Sequence, residues 1–255
     1  MAGRGSSRCW SSRRRVPNVP EATARVVACG VTESGKGFLL RKLFLSRCPR
    51  ALILDPLGEH LPAAARADGF RYFTAYTVED VKRALRQAVQ SGPRWRVIAP
   101  LPPADAPAIA RILLPQVIVG NNAFPFHVGG MALVCEELDT IAPTNPDPAV
   151  ESLWRRGRHV RLTVLGATQR PHRVARIITA MSSHLVICAT HEPADVEYFE
   201  RILPADAMRA VRSLPWQWAV LYDVRARRWF LLDRSQRIVS SGSATMASDP
   251  ANLTE

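Results

Sequence analysis

Gly30-Val31-Thr32-Glu33-Ser34-Gly35-Lys36-Gly37 follows a short apolar run, Val26 to Cys29, and precedes a helix-like run, Phe38 to Leu45. A strand, a glycine-bracketed loop carrying a lysine, and then a helix wrap backbone N–H groups round a phosphate and aim the positive end of the helix at it. The stretch reads as a phosphate cradle, with residues Gly30 to Phe38 as the nucleotide-binding set. It satisfies the Walker A pattern G-x-x-x-x-G-K-[ST] except at the last position, where Gly37 replaces the hydroxyl that ordinarily ligates Mg²⁺. The plainer reading is a glycine-rich turn with a solvated lysine, and the flanking strand and helix argue against it.

Downstream, Met131-Ala-Leu-Val-Cys135 has the pattern of a buried strand and runs straight into Glu136-Glu137. In P-loop ATPases an apolar strand ends in paired acids, the first holding Mg²⁺ through water and the second polarising the attacking water. Glu136 stands where aspartate is commoner. Taken alone, the pair could equally be surface glutamates opening a loop towards Asp139 and Pro143; beside a phosphate loop the catalytic reading is preferred.

Other segments alternate in the same way. Ala51 to Leu54 is an apolar strand ending in the turn Asp55-Pro-Leu-Gly-Glu59, and Val78 to Gln90 carries apolar residues at 78, 81, 85 and 89, one helical face. Trp95 to Ala99, Leu162 to Thr168 and His184 to Thr190 read as strands; Ala104 to Val119, Asp195 to Leu203 and Met208 to Leu214 read as helices. Asn121-Asn122 ends the first of these helices. Trp218 to Asp223 and Arg228 to Asp233 form a hairpin signal across Val224 to Arg227. Strands and helices in this order predict an α/β fold with a mostly parallel sheet, helices on both faces and a C-terminal β-hairpin, its ligands beyond the C-terminal strand ends.

The 255 residues, 47% hydrophobic, suit one domain over 21–233. Residues 1–20 are rich in Arg, Ser and Gly and are expected to be a disordered basic arm, either touching nucleic acid or simply solvated. Residues 234–255 are expected to be a flexible tail. No apolar run reaches the roughly 18 residues of a membrane span and no secretory signal is evident, so a soluble cytoplasmic protein is expected. The five cysteines include no C-x-x-C pair, and neither disulfides nor zinc are expected. Of the net charge of +12, residues 1–20 supply five and the last 22 balance, leaving +7 on the body. Such a body suits a polyanionic partner, nucleic acid first.

Together, the phosphate loop, Asp55-Pro-Leu-Gly-Glu59, Glu136-Glu137, Gly157-Arg158 before a strand and Thr168-Gln169-Arg170-Pro171 after it resemble the FtsK-HerA superfamily of P-loop ATPases over about residues 24–233. The Gln-Arg-Pro ending is the most discriminating piece. The layout is similar to the genome-packaging ATPases of double-jelly-roll viruses. This resemblance implies a RecA-like fold and a homo-oligomeric ring, a hexamer with a pentamer as the alternative, that hydrolyses ATP with Mg²⁺ to translocate double-stranded DNA. It implies Glu137 as base, Glu136 as the metal-side acid acting through water, Gln169 as γ-phosphate sensor and Arg158 as an arginine finger acting on the neighbouring subunit. Arg155 and Arg156 compete for the finger role, and Arg170 either positions its loop or contacts DNA. A capsid or vertex protein would be the docking partner, in host cytoplasm or at a virion vertex. With Gly37 in place, water, Glu136, Ser34 or Thr32 would have to complete the metal's shell. Two other readings stay open: a small-molecule nucleotide kinase, which Gly-Lys-Gly also suits, and a degenerate ring component that binds nucleotide without turnover.

Overall fold

The structure, a computed structural model, describes residues 24–60, 69–119 and 130–243. The basic arm and Asn121-Asn122 lie outside these. Among the described residues ten strands form one sheet. Seven are parallel: β1 (Arg25–Cys29), β2 (Arg50–Leu54), β3 (Arg71–Thr74), β4 (Trp95–Ala99), β5 (Met131–Cys135), β6 (Thr163–Thr168) and β7 (His184–Ile187). Three antiparallel strands, β8 (Ala219–Asp223), β9 (Arg228–Leu232) and β10 (Ile238–Ser243), extend it at one edge, giving the order β10-β9-β8-β7-β1-β6-β5-β2-β4-β3. The expected hairpin is β8 and β9.

The period of two in each strand decides what covers it. Val26 and Ala28 of β1 face a core shared with Leu39, Leu40 and Leu43 of α1 (Lys36–Leu43). Val27 and Cys29 face the other side, where α2 (Val78–Ser91), α3 (Ala106–Val119), α5 (Pro148–Arg156), α7 (Pro193–Glu200) and α8 (Ala205–Arg212) pack. Two short helices, α4 (Leu138–Ile141) and α6 (Arg176–Ala180), follow β5 and β6. In α2, Val81, Ala84, Leu85 and Ala88 are buried, and the Thr77 hydroxyl caps the first turn by accepting from the Asp80 N–H at 3.1 Å. Burying a Leu side chain is worth about 2 kcal/mol, so α1 is held mainly by its three leucines.

Residues from 234 onward, expected to be a flexible tail, instead contribute β10 up to Ser243. The segment carries no apolar pattern because Val239, Ser240 and Ser241 are exposed. Its role is to satisfy the open N–H and C=O groups along β9. Gly242 is required there: a Cβ would sit 2.5 Å from the Trp229 indole nitrogen. Four cysteines, at 29, 48, 135 and 188, are buried as single thiols. Among the described residues no helix is long and apolar enough to cross a membrane.

Candidate active site at the C-terminal strand ends

The loop after β1 is tied to both neighbouring strand ends: the Gly30 N–H donates to Thr168 O at 3.2 Å and the Val31 N–H to Ala189 O at 2.9 Å. Gly30 has φ +151°, and a Cβ there would meet Cys188 Cβ and Ser34 Oγ, each at 2.7 Å. Ser34 is fully buried and its hydroxyl donates to Val31 O at 2.7 Å, which folds the loop on itself. Lys36 Nζ is drawn over the loop by the same carbonyl at 3.4 Å. Gly35, at φ +96°, opens α1, whose first internal bond is Leu39 N–H to Gly35 O. Helix geometry leaves the N–H groups of Lys36, Gly37 and Phe38 without intrahelical acceptors, at the positive end of the dipole. The strand, glycine-bracketed loop and helix expected from the sequence are all present. The Ser34 hydroxyl is turned into the loop and cannot serve a metal; Thr32 lines the cleft.

Glu136 continues the β5 ladder, its N–H donating to Leu54 O at 3.0 Å. Its carboxylate Oε1 lies 3.0 Å from Nε2 of the buried His60. His60 is placed there by Asp55, fully buried at the end of β2, whose two oxygens accept the Glu59 N–H at 3.0 Å and the His60 N–H at 2.7 Å. Glu137 adopts φ +56° at the start of α4, a turn that swings its side chain out of line with Glu136. Leu138, next in sequence, is fully buried against Gly166 of β6, where a Cβ would lie 2.5 Å from Leu138 Cδ2.

Gln169 closes the set. Its Oε1 accepts from Thr32 Oγ1 at 2.8 Å, and its side chain borders the same cleft as Glu137. Burial raises the Glu137 carboxyl above its ordinary value, helped by Asp139 and Glu136, while Lys36 and the nearby Gln169 amide pull it back. Asp139 accepts from Thr168 Oγ1 at 2.6 Å, and the same hydroxyl accepts the Arg170 N–H at 3.0 Å. The acid loop and the Gln-Arg-Pro loop are therefore bolted together. Thr32, Lys36, Asp55, Glu136, Glu137 and Gln169 border one cleft of about 370 Å³, whose rim includes the exposed Phe38 and Leu57.

Residues 30–38, Glu136, Glu137 and Gln169 thus come together. Arg158 does not. It is exposed in the turn before β6, at the opposite end of that strand from Gln169, with Nε 3.4 Å from His159 Nε2. Arg155 pairs with Glu151 at 3.2 Å on α5, and Arg156 is exposed beside it. Among the described residues no group of three or more His, Cys, Asp or Glu could hold a metal by itself, so Mg²⁺ here would depend on phosphate and water oxygens as well as Glu136. His60, Asp139, Thr168 and Gly166 were not assigned site roles from sequence. The only signal for them is adjacency to the quoted motifs.

No family model matches the sequence, and no curated protein matches it either. Solved structures do. The genome-packaging NTPase B204 of Sulfolobus turreted icosahedral virus 2 in complex with sulfate superposes with a TM-score of 0.62 at 17% identity, covering 82% of this chain and 96% of that one. Its complex with ATP-gammaS gives 0.61 at 18% identity, with the same coverage. VirB4 of Thermoanaerobacter pseudethanolicus matches with a TM-score of 0.53 at 11% identity over 88% of this chain and 90% of that one. The bacterial conjugative coupling protein TrwBdeltaN70 gives 0.53 at 12% identity over 77% and 81%. At these identities the likeness is one of fold: the chain has the α/β, mostly parallel-sheet fold of the P-loop NTPases.

Proposed function

We propose that this chain is an ATP hydrolase that translocates double-stranded DNA to package a viral genome, working as a homo-oligomeric ring of six copies, or of five. The observation that carries the reading is the set gathered in one cleft: Lys36 over the backbone loop, the Glu136–Glu137 pair, and Gln169 hydrogen-bonded to the loop residue Thr32. The fold likeness to a viral packaging NTPase supports it.

In this reading Lys36 and the N–H groups of residues 33–37 hold the β- and γ-phosphates. Glu137 takes the proton of the attacking water, and its raised pKa suits a base that must also release that proton. Gln169 lies beside it with an amide that can donate to a γ-phosphate oxygen and accept from the water. Glu136, positioned by His60, would hold Mg²⁺ through water. Bound Mg²⁺ would neutralise charge on the phosphates. Arg158 lies at the far strand end from its own cleft, so it meets a nucleotide only when another copy presents one, and hydrolysis then depends on assembly. A capsid or vertex protein is the docking partner proposed for the ring, in host cytoplasm or at the virion vertex.

The test is the steady-state ATPase rate against protein concentration, with and without double-stranded DNA, in Mg²⁺. A rate that rises cooperatively with concentration and again with DNA is expected. ATP binding with negligible turnover would point to a nucleotide-binding ring component that the Gly37 departure has silenced. Phosphate transfer to a nucleoside monophosphate, indifferent to DNA, would make the chain a kinase.

A further inference from the structure

The two ends of the sheet carry opposite charge. Asp55, Glu59, Glu136, Glu137 and Asp139 gather at the C-terminal strand ends around the nucleotide cleft. At the N-terminal ends, β1, β2 and β3 open on Arg25, Arg50 and Arg71, Arg94 immediately precedes β4, and Arg225 and Arg228 flank the β8–β9 turn. Neighbouring strands are ~4.8 Å apart, so the seven intervals from β8 to β3 stretch this basic edge over about 34 Å, close to one turn of duplex. Along a strand of five residues, at ~3.3 Å each, it lies about 17 Å from the phosphate cradle.

One part of the edge is concave. A cleft of about 760 Å³ is lined by Arg25, Arg155, Arg158 and Arg225, with Asp223 the one acid among the described residues. That acid is already engaged: its Oδ1 accepts the Ala226 N–H at 2.9 Å and its Oδ2 lies 3.9 Å from His184 Nε2. The Arg25 Nε is buried and makes no hydrogen bond. Burial and the adjacent positive charge of Arg158 both push the Arg25 guanidinium below its ordinary value. Two like charges thus share one cleft, an arrangement that an oxyanion between their exposed ends would relieve.

We propose that this cleft, with Arg25 and Arg225 as its principal contacts, grips the phosphate backbone of duplex DNA along the N-terminal edge of the sheet. The length of the basic strip favours a polyanion over a single nucleotide, and phosphate contact of this kind is independent of sequence. The site rests on the translocase reading above for the identity of the polyanion. Arg158 also lines the cleft and is left out of the test because of its proposed role at a neighbouring nucleotide.

The experiment is a fluorescence-anisotropy titration of a labelled 30-base-pair duplex with the full chain, nucleotide-free, over a series of salt concentrations. Each lost phosphate contact should lower the slope of log K against log salt by about 0.9. The Arg225→Gln variant, on an exposed hairpin tip, should lose about one unit, and the Arg25→Gln/Arg225→Gln double variant about two, with affinity down at least about tenfold. DNA-free ATPase should stay unchanged in both. Wild-type slope and affinity in the folded Arg225→Gln variant would overturn the proposal even if the double variant failed to fold. Unchanged DNA affinity with lost concentration dependence of hydrolysis would assign the cleft to a neighbour's nucleotide instead, again overturning it. A wild-type chain that binds no duplex at all would remove the translocase reading with it.

Discussion

Thr32 Oγ1 donates to Gln169 Oε1 at 2.8 Å across 137 residues of chain, and Glu137 borders the same cleft. The bond uses the oxygen of the Gln169 amide and leaves its N–H groups able to donate. In the proposed mechanism those N–H groups meet a γ-phosphate oxygen while Thr32 fixes the orientation of the amide.

Gln169→Ala, which deletes a donor to the developing charge, should lower kcat about a hundredfold or more with little change in KM. Nucleotide titration and steady-state kinetics of the variant would check this; equal kcat in Gln169→Ala and wild type would remove the sensor role.

Glu137→Gln should retain ATP binding and lose hydrolysis. Because burial raises the Glu137 carboxyl above 4.5, the acid limb of the wild-type rate profile should have its midpoint above that value, activity falling as the base is protonated. The linkage has a definite sign: the native state binds this proton more tightly than the unfolded chain, so stability declines as pH rises from 4.5 through the raised value. Glu137→Gln should melt higher than wild type at neutral pH, and the difference should vanish below about pH 4, where both side chains are neutral. Thermal melts at the two pH values are the check, and a constant difference would argue against the shift.

Gly166→Ala should disturb catalysis more than binding. The new methyl would press on Leu138 Cδ2 from 2.5 Å, and overpacking of this kind costs about 1–3 kcal/mol. Leu138 is covalently next to Glu137, so the strain moves the base while the cradle, on a different loop, stays in place. A lowered kcat with near-normal ATP affinity is expected; loss of both together would show that the damage is general.

His60→Ala should leave the nearly buried Glu136 carboxylate without its partner, at a cost of about 1–3 kcal/mol in urea unfolding. More Mg²⁺ should then be needed for half-maximal ATP hydrolysis. His60→Gln, which keeps a donor, should recover much of both. A stability loss with an unchanged Mg²⁺ requirement would confine His60 to a structural role.

Local sequence was sufficient for what local sequence controls. The phosphate loop lies within eight consecutive residues, and β4, apolar but for Arg96, and the apolar β5 are five-residue strands whose observed bounds match their sequence reading. The edge strands β3 and β10 were invisible, because an edge strand exposes one side and needs no apolar alternation: β3 runs from exposed to half-buried, and β10 is mostly serine and glycine.

The sequence by itself determined the strand–loop–helix cradle, the acids at the end of β5 and the α/β class, since contiguous apolar period and turn chemistry specify each of them. Only the tertiary structure decided who meets whom. Inter-strand hydrogen bonding inserts β6 between β1 and β5, which carries Gln169 to Thr32 and Glu137 and fits Gly166 under Leu138. The turn capped by Asp55 delivers His60 to Glu136. The same pairing lines up arginines from Arg25 to Arg228 along one edge and sends Arg158 to the opposite end from the nucleotide cleft, because parallel strands place all their starts on one side and all their ends on the other.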